Sequence, residues 1–256
     1  MRHAIVITLV LLAIIAAGCQ VQKQELQQQA DAIVEFRTYG GFTPPEFARQ
    51  ELRVEKGLLT YTIFDRSGNQ VSQSQATITD KEYQAVIKAF ADARFMTLSD
   101  RYGEGQIVTD AGTAEISYSN GTASKSVKVE PYVEEAMPKN LQDINRLMLQ
   151  LIAKATEMPA GEAEKTAERW IENAPTYRFD GYGLRLLDHK QLESYPVQHV
   201  LTYEFTSSHA GYGNRQGKVL AQALTRHEIV VRLSGGRIAS AILDGKWDEM
   251  RQQKTG

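Results

Sequence analysis

Apolar and polar residues alternate along Glu51–Glu55, and Leu58–Phe64 is rich in β-branched and aromatic residues. Together with the turn-forming Asp65–Asn69 and an extended run to Ile78, this pattern predicts a meander of strands. The period then changes from two to about 3.6. Thr79 and Glu82 have capping-box spacing, and Tyr83, Val86, Ile87, Phe90 and Ala91 form one apolar stripe, so a helix is expected from Asp80 to Arg94. Period two returns over 112–119 and 122–130. The intervening Asn120-Gly121 is the pair best suited to the positive φ angles of a type I′ hairpin turn. After Pro138, Leu141, Ile144, Met148 and Leu151 recur at helical spacing, and this stripe is expected to pack on the preceding sheet.

The breaker-rich stretch Thr156–Gly161 separates this pattern from a second one. A helix over 162–173 turns Ala163, Ala167, Trp170 and Ile171 inward and is stopped by Pro175. Strands are expected at Tyr177–Asp180 with Leu184–Leu187, then at 197–206, 219–224, 228–233 and 238–243, with Ser234-Gly-Gly236 as a tight turn. The fold class is therefore α+β, with two small domains of antiparallel sheet plus helix. In the second, one helix packs on a meandering sheet, as in cystatin-like or PepSY-like modules. The expected layout is a domain at 33–156, a linker at 157–161, a domain at 162–250 and a tail at 251–256.

Before these domains, an apolar run from Ala4 to Ile15 follows Met1-Arg2 and ends in Ala16-Ala17-Gly18-Cys19. Those are the parts of an exported signal peptide over 1–18. The cysteine in that place resembles a lipobox, although Ala16 stands where that pattern prefers leucine. A membrane-spanning anchor fits poorly, because Ala4 to Gly18 makes roughly 22 Å of helix against about 30 Å of hydrocarbon. The expected location is thus outside the cytoplasmic membrane, tethered by lipid on Cys19, with the Gln-rich 19–32 as tether. With one cysteine in the chain, no disulfide can form within a monomer. The formal charge of −2, without a Lys/Arg cluster, offers nothing to nucleic acid.

Candidate chemistry concentrates in Ser207–Gly217, where three glycines, His209 and Arg215 sit between two expected strands. Glycine lets backbone N–H groups approach a ligand and arginine can clamp an anion, so His209, Gly211, Tyr212, Gly213 and Arg215 form a candidate site for a small anion or carboxylate. In that case Arg215→Ala would cost affinity and barely move the melting temperature. The alternative is a shaped connection whose tyrosine plugs the end of the sheet. Ser207 or Ser208 with His209 makes a poor nucleophile–base pair, because adjacent strand residues point to opposite faces. His189, His199, His209 and His227 are too scattered to form a helical metal pair, and no metal or other cofactor is implied. Tyr39–Pro45 exposes an aromatic on a Pro-Pro turn, a shape that either caps a strand edge or docks a protein partner.

Gly40–Pro45, Phe95–Gly103 and Thr109-Asp110 resemble a small uncharacterised domain family of exported bacterial and archaeal proteins. Ala174–Gly181, His209–Arg215, Leu220–Gln222 and Leu243–Asp248 are similar to the C-terminal part of hypothetical lipoproteins of methanogenic archaea. Where some of those carry a cysteine pair, this chain has Tyr195–His199, so no thiol or metal role follows from the likeness. The resemblance implies an exported, two-domain protein and transfers no activity. A non-enzymatic envelope binding module is the expected function. The alternative is a hydrolase in which His209 and Arg215 meet Asp244 or Asp248.

Overall fold

The computed structural model describes residues 32–105, 108–220 and 222–255. Cys19, the expected signal segment and all but the end of the expected tether lie outside them. The described residues fall into two compact units, divided between Leu151 and Ile152.

The first unit begins with β1 (Ile33–Tyr39), β2 (Arg49–Glu55), β3 (Leu58–Phe64) and β4 (Gln70–Thr77), followed by helix α1 (Asp80–Asp92). Then come β5 (Arg101–Tyr102), β6 (Thr113–Ser119), β7 (Ser124–Val129) and helix α2 (Lys139–Ala155). The strands form one sheet in the order β4-β3-β2-β1-β6-β7-β5, antiparallel throughout except for the β5–β7 pair. Register puts Phe36 beside Leu52 and Ile116, and Val34 beside Val54 and Tyr118, so one face is continuously apolar. Phe90 of α1 lies on that face, stacked on Tyr118 with ring centroids 5.6 Å apart. The opposite face pairs Glu35 with Arg53 and Arg37 with Glu51, and Arg37 and Arg53 both bond to Glu35. α1 begins as its sequence dictates, with the Thr79 hydroxyl accepting from the Glu82 N–H and the Glu82 carboxylate accepting from the Thr79 N–H.

The 120–123 hairpin forms with a different turn. Gly121 has φ +81°, but Asn120 is not at positive φ. Instead, its side-chain oxygen accepts from the N–H groups of Thr122 and Ala123, at 3.2 and 2.9 Å. This Asx-type bonding closes a four-residue loop and replaces the expected type I′ geometry. The Tyr39–Pro45 turn is held by the Phe42 N–H donating to the Asp110 carbonyl. It leaves the Phe42 ring 90% exposed. Gly41, at φ +67°, admits no side chain, since a Cβ there would lie 2.8 Å from the Asp110 carbonyl oxygen.

The second unit contains α3 (Ala160–Asn173), α4 (Pro175–Asp180), β8 (Gly181–Leu192), β9 (Gln198–His209), β10 (Gln222–Ser234), β11 (Arg237–Leu243), β12 (Trp247–Asp248) and β13 (Gln253–Lys254). The sheet is a pure meander, β13-β12-β11-β10-β9-β8. Ala163, Ala167 and Ile171 of α3 pack with Leu201, Tyr203, Phe205, Ile229, Val231, Leu233 and neighbouring apolar residues in one core. β8 shifts register against β9 twice, between Tyr182 and Arg185 and between Leu186 and Asp188.

Several expectations change here. Tyr177–Asp180 is helical, because Pro175 sits at the first helical position, where its fixed φ and missing N–H cost nothing. The proline that ends α3 thus starts α4. Residues 222–224 of one expected strand and all of 228–233 belong to a single strand, β10, which begins at Gln222. Ala160-Gly161, placed in the linker, form the first turn of α3, and Gln253-Lys254, placed in the tail, pair with β12.

Candidate functional site

Along β9, His199, Leu201, Tyr203, Phe205 and Ser207 alternate onto the core face. Apolar residues fill the middle and polar ones stand at both ends. At the end where β9 meets the glycine-rich loop, two hydrogen-bonded chains lie side by side.

The first chain centres on Arg215, which is 2% exposed. Its Nη2 donates to Asp180 Oδ1 at 2.6 Å and to the Thr176 carbonyl at 3.4 Å. Its Nη1 donates to the carbonyls of His209 and Gly211, and the guanidinium lies over the Phe179 ring, 4.7 Å from its centroid. Asp180 Oδ2 is 2.8 Å from His209 Nδ1. The guanidinium therefore closes the loop onto α4. Thr176 adds a second tie. Its hydroxyl accepts from the Gly213 N–H and donates to Glu249 Oε2, both at 2.7 Å, while the Thr176 N–H donates to Glu249 Oε1 at 2.7 Å. Gly213, at φ +70°, lies against Gln252, whose Oε1 would be 2.6 Å from an added Cβ.

The second chain runs from Ser207 Oγ to His227 Nε2, 3.0 Å, and from His227 Nδ1 to Asp244 Oδ2, 2.7 Å. The Tyr212 hydroxyl donates to the same carboxylate oxygen at 3.1 Å, and its ring stacks on Trp247. Burial alone would raise the Asp244 carboxyl, but the His227 ring, the Glu228 N–H and Tyr212 together hold it below the ordinary carboxylate range. Burial next to this carboxylate pushes the Tyr212 phenol up. The connectivity is that of a Ser–His–Asp triad. Its environment is not, because Ser207 is 0% exposed and its hydroxyl donates to the His209 carbonyl at 2.7 Å.

The expected convergence of His209 and Arg215 on Asp244 or Asp248 does not occur. Both bond to Asp180, which the sequence pattern placed in a strand, whereas Asp244 serves His227 and Asp248 accepts from the N–H groups of Met250 and Arg251. Of the candidate ligand residues, Gly213 and Arg215 are buried on protein partners, Tyr212 is partly exposed with its hydroxyl on Asp244, Gly211 is exposed with its carbonyl on Arg215, and His209 keeps 28% of its side chain exposed. Ser207 and His227 escaped sequence reasoning because they are diagonal neighbours across two strands, Ser207 facing Thr225 in the β9–β10 register.

At the other end of β9 stands a third chain, with Glu164 Oε1 2.9 Å from His189 Nδ1 and His189 Nε2 2.9 Å from His199 Nδ1. Burial, reinforced by the neighbouring His189 and opposed by the Met158 carbonyl, lowers the affinity of His199 for a proton. In the unfolded chain this group titrates near its ordinary value of 6.5. Below that pH the unfolded state therefore binds more protons than the folded state, and stability falls as pH drops. Urea unfolding between pH 8 and 5 is expected to show this loss, and His199→Gln to remove part of it. An unchanged slope in the variant would refute the assignment.

In the first unit, a cleft of about 480 Å³ is lined by Arg101, Lys128, Glu130 and neighbours. Lys128 and Glu130 pair there at 2.6 Å, so its charges are largely matched. Residues 55–152, from the last residue of β2 into α2, match a domain of unknown function (DUF6438). The matched stretch omits β1, which lies between β2 and β6 in the sheet. No curated protein matches the chain.

Proposed function

We propose that this chain is an exported, lipid-anchored protein of the cell envelope, held through Cys19, whose α+β units bind a small anionic ligand or a protein partner and catalyse no reaction. The anchor rests on Ile14–Cys19 alone. The binding reading is carried by one observation, that the groups most able to do chemistry in the second unit are sealed and internally bonded. Ser207, His227, Arg215 and Glu249 are each at most 2% exposed. A nucleophile with no route to substrate supports the unit's shape and not a reaction.

The hydrolase reading keeps one support, the Ser207–His227–Asp244 connectivity. A fluorophosphonate probe separates the two. No labelling of the folded chain is expected, and covalent modification of Ser207 would make the protein a hydrolase. For the anchor, mass spectrometry of the N-terminal peptide from native membranes should find acyl chains on Cys19, with more than one chain because a single one binds only marginally. An unmodified Cys19 within an intact signal segment would exclude it.

A further inference from the structure

Beside the Arg215 tie lies a cleft of about 630 Å³, lined by Asn173 from the end of α3, Pro175, Arg178 and Phe179 of α4, and Asn214 and Gln216 of the glycine-rich loop. Its chemistry differs from that of the sealed chains next to it. Arg178 is exposed, and its guanidinium has no ion pair or hydrogen bond among the described residues. Among the residues that line this cleft it is therefore the cation that remains available, in contrast to the neighbouring Arg215, which Asp180 neutralises. Around it stand three amide side chains. Asn173 uses one N–H on the Arg169 carbonyl, which leaves its oxygen as an acceptor. Asn214 accepts from the Gln216 N–H, which leaves its NH₂ group as a donor. Among the described residues the Gln216 amide has both donor and acceptor capacity unused. Pro175 and Phe179 add apolar surface, with Arg215 covering one side of the phenyl ring.

A single unneutralised guanidinium favours a ligand with one carboxylate, held bidentately. Amides offering donors and acceptors together favour hydroxyl groups, which also do both, and the apolar patches suit the C–H faces of a sugar ring. We propose that this cleft binds a small polyhydroxylated carboxylate of the hexuronic-acid type, with Arg178 on the carboxylate and Asn173, Asn214 and Gln216 on the hydroxyls. The scaffold explains the precision of the site. Arg215 and Thr176 fix the loop bearing Asn214 and Gln216 against the helix bearing Arg178, so the lining is preorganised. This inference rests on the binding-module reading and names the ligand class for it.

Isothermal titration of the full chain in detergent with glucuronate, glucose and inorganic phosphate tests the inference. Glucuronate should bind saturably, with glucose and phosphate each at least tenfold weaker. Arg178→Gln should weaken glucuronate at least tenfold while leaving the melting temperature within about 2 °C, because an exposed arginine contributes little to stability. Arg178→Lys should recover part of the affinity, and Gln216→Ala should lose a few-fold. Glucuronate affinity unchanged in Arg178→Gln, or no glucuronate binding at all, overturns the site. Phosphate binding as tightly as glucuronate overturns the ligand class. Fluorophosphonate labelling of Ser207 would defeat the binding-module reading by a separate route, so the two failures are told apart.

Discussion

Arg215→Ala is expected to destabilise the second unit by about 3–5 kcal/mol, the usual cost of removing one partner from a buried ion pair. For a unit of this size that lowers the melting temperature by on the order of 15 °C. The loss has three parts. Asp180, whose side chain is 11% exposed, loses its closest cation. The carbonyls of His209 and Gly211 lose a donor inside the protein. The Phe179 ring loses the guanidinium above it. Arg215→Lys should recover less than half, since an ammonium cannot present the planar fork that reaches α4 and the loop together. Differential scanning calorimetry gives the answer, and a shift below about 3 °C for Arg215→Ala would mean the contacts are dispensable. This outcome reverses the one expected from sequence, where an exposed arginine would have lost ligand and kept stability.

Phe90→Ala should cost about 3–5 kcal/mol in the first unit. The ring is 3% exposed, sits 4.8 Å from Phe95 and stacks on Tyr118. Its removal therefore deletes two aromatic contacts as well as the buried area, and leaves a cavity between α1 and the sheet. Phe90→Leu, which refills most of the volume, should recover more than half. Hydrogen exchange at the β1 and β6 amides of the full chain reports the loss of protection. Unchanged protection in Phe90→Ala would show that α1 does not secure the sheet.

Local patterns carried most of the fold. Thr79 and Glu82 announce α1 because a capping box is complete within four residues. Asn120-Gly121 marks a hairpin, but its turn type depended on whether the Asn120 side chain would bond its own loop, which the dipeptide leaves open. Tyr177–Asp180 misled because two aromatics spaced by two residues mimic a strand, and only the proline at the first helical position tips the balance. Candidate site residues were found without their roles. Arg215 stands out by its glycine neighbours, but Asp180 lies 35 residues away and comes close only when α4 folds beside the loop. Ser207 and His227 needed the β9–β10 register before either had a partner. Arg178 was invisible for the opposite reason, since an arginine is noteworthy only once the structure leaves it unpaired.

The register shifts of β8 have a consequence for how copies of this protein meet. A long edge strand is an open template, a row of N–H and C=O groups on which another chain's strand can build. β8 spans twelve residues at the end of its sheet, yet its two interruptions break that row into short segments whose groups do not line up with a straight strand. Arg185, Asp188 and Lys190 stand exposed along it, so an incoming strand would have to desolvate charged side chains to pair there. The other three edges are defended differently. β5 and β13 have two residues each, and β4 reads Gln-Val-Ser-Gln-Ser-Gln, too polar to grip an apolar strand. Edge-to-edge growth from β8 is therefore disfavoured, and deleting Gly183, which lies in the first of the two interruptions, is expected to lengthen the pairable part of that edge and raise the tendency of crowded copies to add strand to strand.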